Sequence, residues 1–163
     1  MGAQERLSTI SRHVQTEAKK ETFRERLHYK YFLPIQTRWS DNDQYGHINN
    51  SIYYHYFDTV INEYLIKNCG LEPNKAGKPI GLVVSSSANF YAPASYPSII
   101  HAGLCISKIG KSSVTYRVGL FENEQPLASV VGGFTHVFVD PINRRPIKGL
   151  PETVLKGLDA IKE

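Results

Sequence analysis

The sequence lacks the features that mark membrane-spanning, zinc-binding and nucleic-acid-binding proteins. Its longest apolar stretches fall far short of the roughly 20 residues that cross a bilayer, so no membrane span is expected. Only two cysteines occur, Cys69 and Cys105, and without a Cys-x-x-Cys pair or a Cys/His cluster they are expected to be free thiols. The formal net charge is +4, but no run of Lys and Arg is present, so nucleic acid is not an expected partner.

The first 28 residues are polar and charged, and we expect them to form an extension, 1–28, outside the folded domain. Leu7, Ile10 and Val14 recur at helical spacing, which predicts a short amphipathic helix or a mobile arm. No apolar secretory core is present, so a cytoplasmic protein is expected. A mitochondrial location stays open, although the acidic residues of this segment argue against a presequence. Residues 29–163 have the length of one domain.

The rest of the chain combines one strongly apolar helix with several strand-like segments. The helix is predicted over about 50–67, because its apolar side chains form a stripe, and Gly70 is suited to end it. Pro151 can open a short C-terminal helix. One helix and one sheet bury each other only if the sheet curls around the helix, which predicts an α+β fold. The predicted strands cover about 29–39, 80–91, 99–109, 113–121 and 127–140.

The most informative segment lies between the first strand and the helix. Residues 38–50 read Arg-Trp-Ser-Asp-Asn-Asp-Gln-Tyr-Gly-His-Ile-Asn-Asn, and they hold two carboxylates, an imidazole and a glycine. A carboxylate beside a helix N-terminus can serve as base or nucleophile next to backbone N–H groups that stabilise an oxyanion. The segment therefore predicts an acyl-transfer enzyme. Gly46 is a plausible site of positive φ in a tight turn toward the helix.

A metal site is not predicted for this segment. Asp41 and Asp43 are spaced like the start of a calcium-binding loop, but the twelfth position is Ile52 where that loop needs a glutamate. Asp41 is expected to be structural and paired with Arg38.

The segment resembles the motif of the hotdog-fold thioesterases, in particular the 4-hydroxybenzoyl-CoA thioesterase-like branch. The pattern Asp-x-Asp-x-x-Gly-His-x-Asn-Asn-x-x-Tyr of that branch is complete from Asp41 to Tyr53, and the order of elements matches from about Tyr29 onward. The resemblance implies a hotdog fold, in which a curved antiparallel sheet wraps around a long central helix. It also implies an acyl-CoA thioesterase that releases a carboxylic acid and CoA without a cofactor.

The resemblance also implies the roles of the site residues. Asp43 is expected to be the catalytic base or nucleophile, and the backbone N–H of Asn50 is expected to polarise the thioester carbonyl. His47 is expected either to bridge loop and helix or to contact water or substrate. Asn49 is expected to cap the helix or to support catalysis directly. The aromatic helix face of Tyr53, Tyr54 and Phe57 is a candidate wall of the acyl tunnel, although core packing explains most of it.

Assembly and CoA binding are further implications of the resemblance. Members of this family form homodimers in which two sheets join edge to edge, often paired into homotetramers, with active sites at the subunit boundary. Basic residues on the hairpin between the third and fourth of the five strands bind CoA phosphates in some members. Lys111 occupies a matching place and Lys108 is nearby.

Two other functions stay open at this stage. One is an acyl-ACP thioesterase, and the other is a non-catalytic acyl-CoA-binding protein, which would have no use for Asp43. Hydratase chemistry is disfavoured, because hotdog hydratases place Asp and His five residues apart, whereas Asp43 and His47 are four apart. Glu63 is an alternative helical carboxylate, but its i,i+4 spacing from Lys67 favours a solvated ion pair.

Overall fold

In the computed structural model, which describes residues 23–73 and 75–163, a five-stranded antiparallel sheet curves around a long helix. The order of strands across the sheet is β1-β3-β4-β5-β2. The hotdog fold expected from the motif is therefore confirmed. The elements are β1 Tyr31–Gln36, α1 Asn50–Cys69, β2 Ile80–Phe90, β3 Ile99–Ile109, β4 Ser113–Glu122, β5 Val130–Val139 and α2 Glu152–Ala160.

The first strand is shorter than the sequence predicts, and the central helix is slightly longer. β1 gives way to a short 3-10 turn over Trp39–Asp41, because the backbone N–H of Arg38 donates to the Asp41 carboxylate and bends the chain. Helix α1 ends where Gly70 adopts φ +65°, a left-handed conformation that glycine adopts without strain. The helix predicted within residues 1–28 lies largely outside the described residues.

Helix α1 forms the core with the inner face of the sheet. Phe57, Val60 and Ile61 are fully buried there, and each contributes roughly 1.5–3 kcal/mol to stability through loss of apolar contact with water. Gly132 of β5 leaves room for the Phe57 ring, because a Cβ at this position would lie 2.8 Å from it. No helix of the described residues is long and apolar enough to cross a membrane.

The outer face of the sheet carries a second, smaller cluster. Tyr29 and Phe121 lie at its centre, with ring centroids 5.6 Å apart. The segment before β1 crosses this face, and its Arg24 carbonyl accepts a hydrogen bond of 2.7 Å from the backbone N–H of Ala128. Part of the outer face is therefore covered by the chain's own N-terminal side.

Strand β2 forms one of the two edges of the sheet and is the longer of the two edge strands. Strand β2 pairs only with β5, so its second edge has no partner strand among the described residues. Val83 and Val84 are 49% and 60% exposed on this strand, and Phe90 at its end is 49% exposed. A long edge strand with exposed apolar side chains is a surface that favours pairing with another strand.

Candidate active site

Asp41 anchors the loop that precedes α1. Its side chain is 1% exposed and accepts hydrogen bonds from the Tyr56 hydroxyl at 2.7 Å and from the Arg38 backbone N–H at 2.8 Å. The Arg38 guanidinium lies 2.9 Å away, so the expected ion pair is present. Burial alone would raise the pKa of Asp41, but these hydrogen bonds outweigh it and hold the pKa below its usual value. The ionised carboxylate therefore ties the loop to the helix.

Asp43 lies in a tight turn that its own side chain helps to close. Its backbone N–H donates to the His47 carbonyl at 2.9 Å, and its carbonyl accepts from the Gly46 N–H at 3.1 Å. Oδ1 accepts from the Tyr45 N–H at 2.8 Å, which is the local turn that Asp commonly forms. Gly46 has φ +80°, as the sequence predicts for this turn. The other carboxylate oxygen, Oδ2, accepts no hydrogen bond from the described residues.

The loop leads directly into the first turn of α1. The Asn49 N–H donates to the Asp41 carbonyl at 2.8 Å, and the Asn49 side chain accepts from the Ser51 N–H at 3.0 Å as the helix cap. Asn50 is the first helical residue, and its N–H finds no acceptor in the described part of the chain. Such an N–H at a helix start is free to bind a ligand oxygen.

A cavity of about 470 Å³ opens beside this helix start, and we call it the active-site cavity. Asp43, His47 and Asn50 line it together, so three of the residues expected from the motif meet in one place. Its other lining residues are Tyr45, Ile48, Tyr53, Phe90, Tyr91, Ala92 and Pro93.

The second wall of the cavity comes from the end of β2, and sequence reasoning missed it. The Phe90 ring lies 5.6 Å from that of Tyr53, centroid to centroid, and the Tyr53 hydroxyl accepts from the Ala94 N–H at 3.3 Å. The Ile48 N–H donates to the Ala94 carbonyl at 2.8 Å. These contacts join segments about forty residues apart, so no local spacing in the sequence predicts them.

Comparisons with known proteins bear on this loop, helix and cavity. The family model described as the thioesterase superfamily matches residues 45–129. The PA5185 protein from Pseudomonas aeruginosa strain PAO1 is 44% identical, and the match covers 86% of this chain and 96% of that one, with a TM-score of 0.83. The chain belongs to the thioesterase superfamily.

Two more distant structures share the fold. A thioesterase superfamily protein from Jannaschia sp. CCS1 is 14% identical, with a TM-score of 0.69, over 77% of this chain and 79% of that one. The DHNA-CoA thioesterase from Staphylococcus aureus is 20% identical, with a TM-score of 0.65, over 72% of this chain and 78% of its own. No curated protein matches the chain.

The superfamily motif residues have distinct environments. The His47 side chain is exposed at the cavity, and no hydrogen bond of the described residues involves its imidazole. Asn49 serves as the helix cap and is absent from the cavity lining. Of the aromatic residues expected along the acyl tunnel, Tyr53 lines the cavity, whereas Phe57 is buried in the core.

Lys111 and Lys108 do not lie near Asp43 within one chain. Both are exposed on the hairpin that joins β3 to β4. Phe90 of β2, at the cavity, and Leu120 of β4 both pair with Val130 of β5, so they lie at the same height in the sheet. The hairpin lies at the other end of β4, before Ser113. Seven residues of strand span roughly 20 Å, so the two lysines are at the opposite end of the sheet.

Glu63, the alternative carboxylate, forms the ion pair expected from its spacing. Its Oε1 lies 2.5 Å from the Lys67 ammonium, and it does not line the active-site cavity. Among the described residues no group of three His, Cys, Asp or Glu side chains is placed to hold a metal ion.

Proposed function

We propose that this protein hydrolyses acyl-CoA thioesters to a carboxylic acid and free CoA. The observation that carries the proposal is that Asp43 and Asn50 line one cavity beside the start of a helix. A thioester carbonyl that accepts from the Asn50 N–H would develop its negative charge at the positive end of the helix dipole.

Asp43 supplies the basic or nucleophilic group. In one route its carboxylate takes a proton from a water molecule and the hydroxide adds to the carbonyl carbon. The C–S bond then breaks, and Asp43 returns the proton to the departing CoA thiolate. In the other route the carboxylate attacks the same carbon and expels the thiolate. The resulting acyl anhydride then takes up water to give the free acid and Asp43 again.

His47 and the aromatic walls support the same reaction. The exposed imidazole of His47 shares the cavity with Asp43, where it is available to contact the attacking water or the substrate. Tyr53 and Phe90 present apolar ring surface, which suits the acyl group.

The functional unit in this proposal is a homodimer, or a homotetramer built from two such dimers, joined through the open edge of β2. The exposed apolar side chains of β2 support this assignment. A two-fold axis makes the two β2 strands antiparallel, so the far end of one sheet approaches the cavity of the other chain. In that arrangement Lys111 and Lys108 would contact CoA phosphates from the second copy.

The test is release of free thiol from a panel of aromatic and fatty acyl-CoA thioesters by the wild-type chain and by Asp43→Asn. An amide oxygen can still accept the Tyr45 N–H, so the turn is preserved while the base is lost. We expect kcat to fall by about 10²–10⁴-fold with little change in thermal stability.

The same assay separates the alternatives. An acyl-ACP thioesterase would prefer the carrier-linked thioester when both forms of one acyl group compete. A non-catalytic binding protein would retain acyl-CoA without turnover, and Asp43→Asn would change nothing that the thiol assay measures.

A further inference from the structure

We propose that Arg24, whose guanidinium lies over the Tyr91 ring, binds the phosphate groups of CoA beside a polar groove on the outer face of the sheet, which adjoins the active-site cavity at Tyr91. This inference rests on the proposed acyl-CoA substrate and adds a binding residue to it. Arg24 belongs to the segment before β1, outside the residues that the family model matches.

Tyr91 connects the two cavities. It lines the active-site cavity, and it also lines a second cavity of about 310 Å³, which we call the outer groove. Phe90, the last residue of β2, contacts Tyr53 of the helix, whereas the ring of the next residue, Tyr91, contacts Arg24 on the outer face. A ligand that leaves the active-site cavity past Tyr91 therefore reaches the outer face.

The outer groove has the chemistry of an anion site. It is lined by hydroxyl and amide side chains from four strands, including Asn89, Ser107, Thr115 and Thr135, and by the cation Arg117. No Asp or Glu belongs to this lining. The charge of Arg117 is met by the Glu163 carboxylate outside this lining, so the groove supplies hydrogen-bond donors for phosphate oxygens and Arg24 beside it supplies the positive charge.

Two hydrogen bonds with Ala128 hold Arg24 in place. Its carbonyl accepts from the Ala128 N–H at 2.7 Å, and its Nε donates to the Ala128 carbonyl at 3.3 Å. The guanidinium carbon lies 4.5 Å from the centroid of the Tyr91 ring. Within the described residues, no carboxylate forms an ion pair with Arg24, and its two terminal nitrogens donate to no acceptor.

The guanidinium groups of the neighbouring Arg26 and Arg117 already have oxygen partners. Arg26 donates through Nη2 to the Asn123 carbonyl at 2.7 Å, and Arg117 lies 2.9 Å from the Glu163 carboxylate. Arg24 thus combines contact to a residue of the active-site cavity with terminal N–H groups that have no acceptor within residues 23–73 and 75–163. A planar guanidinium with two free donors matches the bidentate geometry of phosphate recognition.

The test compares Arg24→Gln with Arg26→Gln, which makes the same change of charge two residues away. One acyl group is supplied as the CoA thioester and as the pantetheine thioester, which lacks the nucleotide and its phosphates. We expect Arg24→Gln to raise KM for the CoA thioester by about tenfold or more, with kcat and the pantetheine KM unchanged. Arg26→Gln should leave both KM values near those of the wild type.

Three results would overturn the proposal. The first is an unchanged KM for the CoA thioester in Arg24→Gln. The second is an equal rise in KM for the CoA and pantetheine thioesters in that variant. The third is a rise in KM for the CoA thioester in Arg26→Gln as large as that in Arg24→Gln. The proposed function fails in a different way, if the wild-type chain cleaves neither thioester. Calorimetric binding of free CoA then still tests the subsite, since Arg24→Gln should weaken it by a similar factor while Arg26→Gln does not.

Discussion

At the scale of single residues, two aspartates of one motif have opposite environments. Asp41 is buried and fully paired, and its charge stabilises the loop. Asp43 is half-buried, and only one of its oxygens is used by the turn. The first is suited to hold position and the second to react, because a fully paired carboxylate whose pKa is lowered is a poor base.

The lowered pKa of Asp41 predicts that the stability of the protein depends on pH. Its pKa is depressed in the folded state, so its stabilising contribution is present above the unfolded pKa of about 4 and is lost as pH falls through the folded value. Asp41→Asn should lower the free energy of unfolding by roughly 2 kcal/mol at pH 7. In urea unfolding, the gap between wild type and variant should narrow below about pH 4. An equal gap at pH 7 and pH 3 would contradict this role for the carboxylate.

At the scale of elements, the segment before β1 packs on strand β4 through a close contact between Tyr29 and Gly119. Gly119 faces the Tyr29 ring, and a Cβ at this glycine would lie 2.5 Å from it. The Tyr29 hydroxyl donates to the Phe23 carbonyl at 2.6 Å, so the ring connects the sheet to the segment that carries Arg24.

Gly119→Ala should therefore destabilise the protein. We expect a loss of about 1–3 kcal/mol in urea unfolding, because the Tyr29 ring must move from a packed cluster. Gly149→Ala is the matched control, since its Cβ would meet nothing within 4 Å. If both variants unfolded at the same urea concentration, the outer cluster would not hold this segment in place.

At the scale of the whole molecule, the prediction concerns the oligomeric state, which the proposed function assigns to pairing at the open edge of β2. In the proposed dimer Val84→Lys places a charge where two strands meet, and burial of an unpaired charge is costly. Light scattering at micromolar concentration should report a monomer, and thiol release should fall with it. Ile142→Lys, at a loop position that is 88% exposed, should leave both the mass and the activity unchanged. A dimeric, active Val84→Lys variant would exclude this edge as the interface.

The fold and half of the site were predictable from local pattern. The apolar stripe of α1, the strand-like segments and the turn residues around Gly46 predicted the elements, because each depends on neighbours within a few positions. The dense motif from Asp41 to Tyr53 predicted the family and brought Asp43, His47 and Asn50 to one cavity for the same reason.

Only the tertiary structure decided what that motif faces. The wall from Phe90 to Pro93 meets α1 through Tyr53 and Ala94, and the place of Arg24 beside Tyr91 depends on a backbone pairing with Ala128 about a hundred residues away. Such contacts depend on how the sheet curves around the helix, so they cannot be predicted from the spacing of residues in the sequence. The chemistry of the loop was local, whereas the shape and charge of its surroundings came from packing.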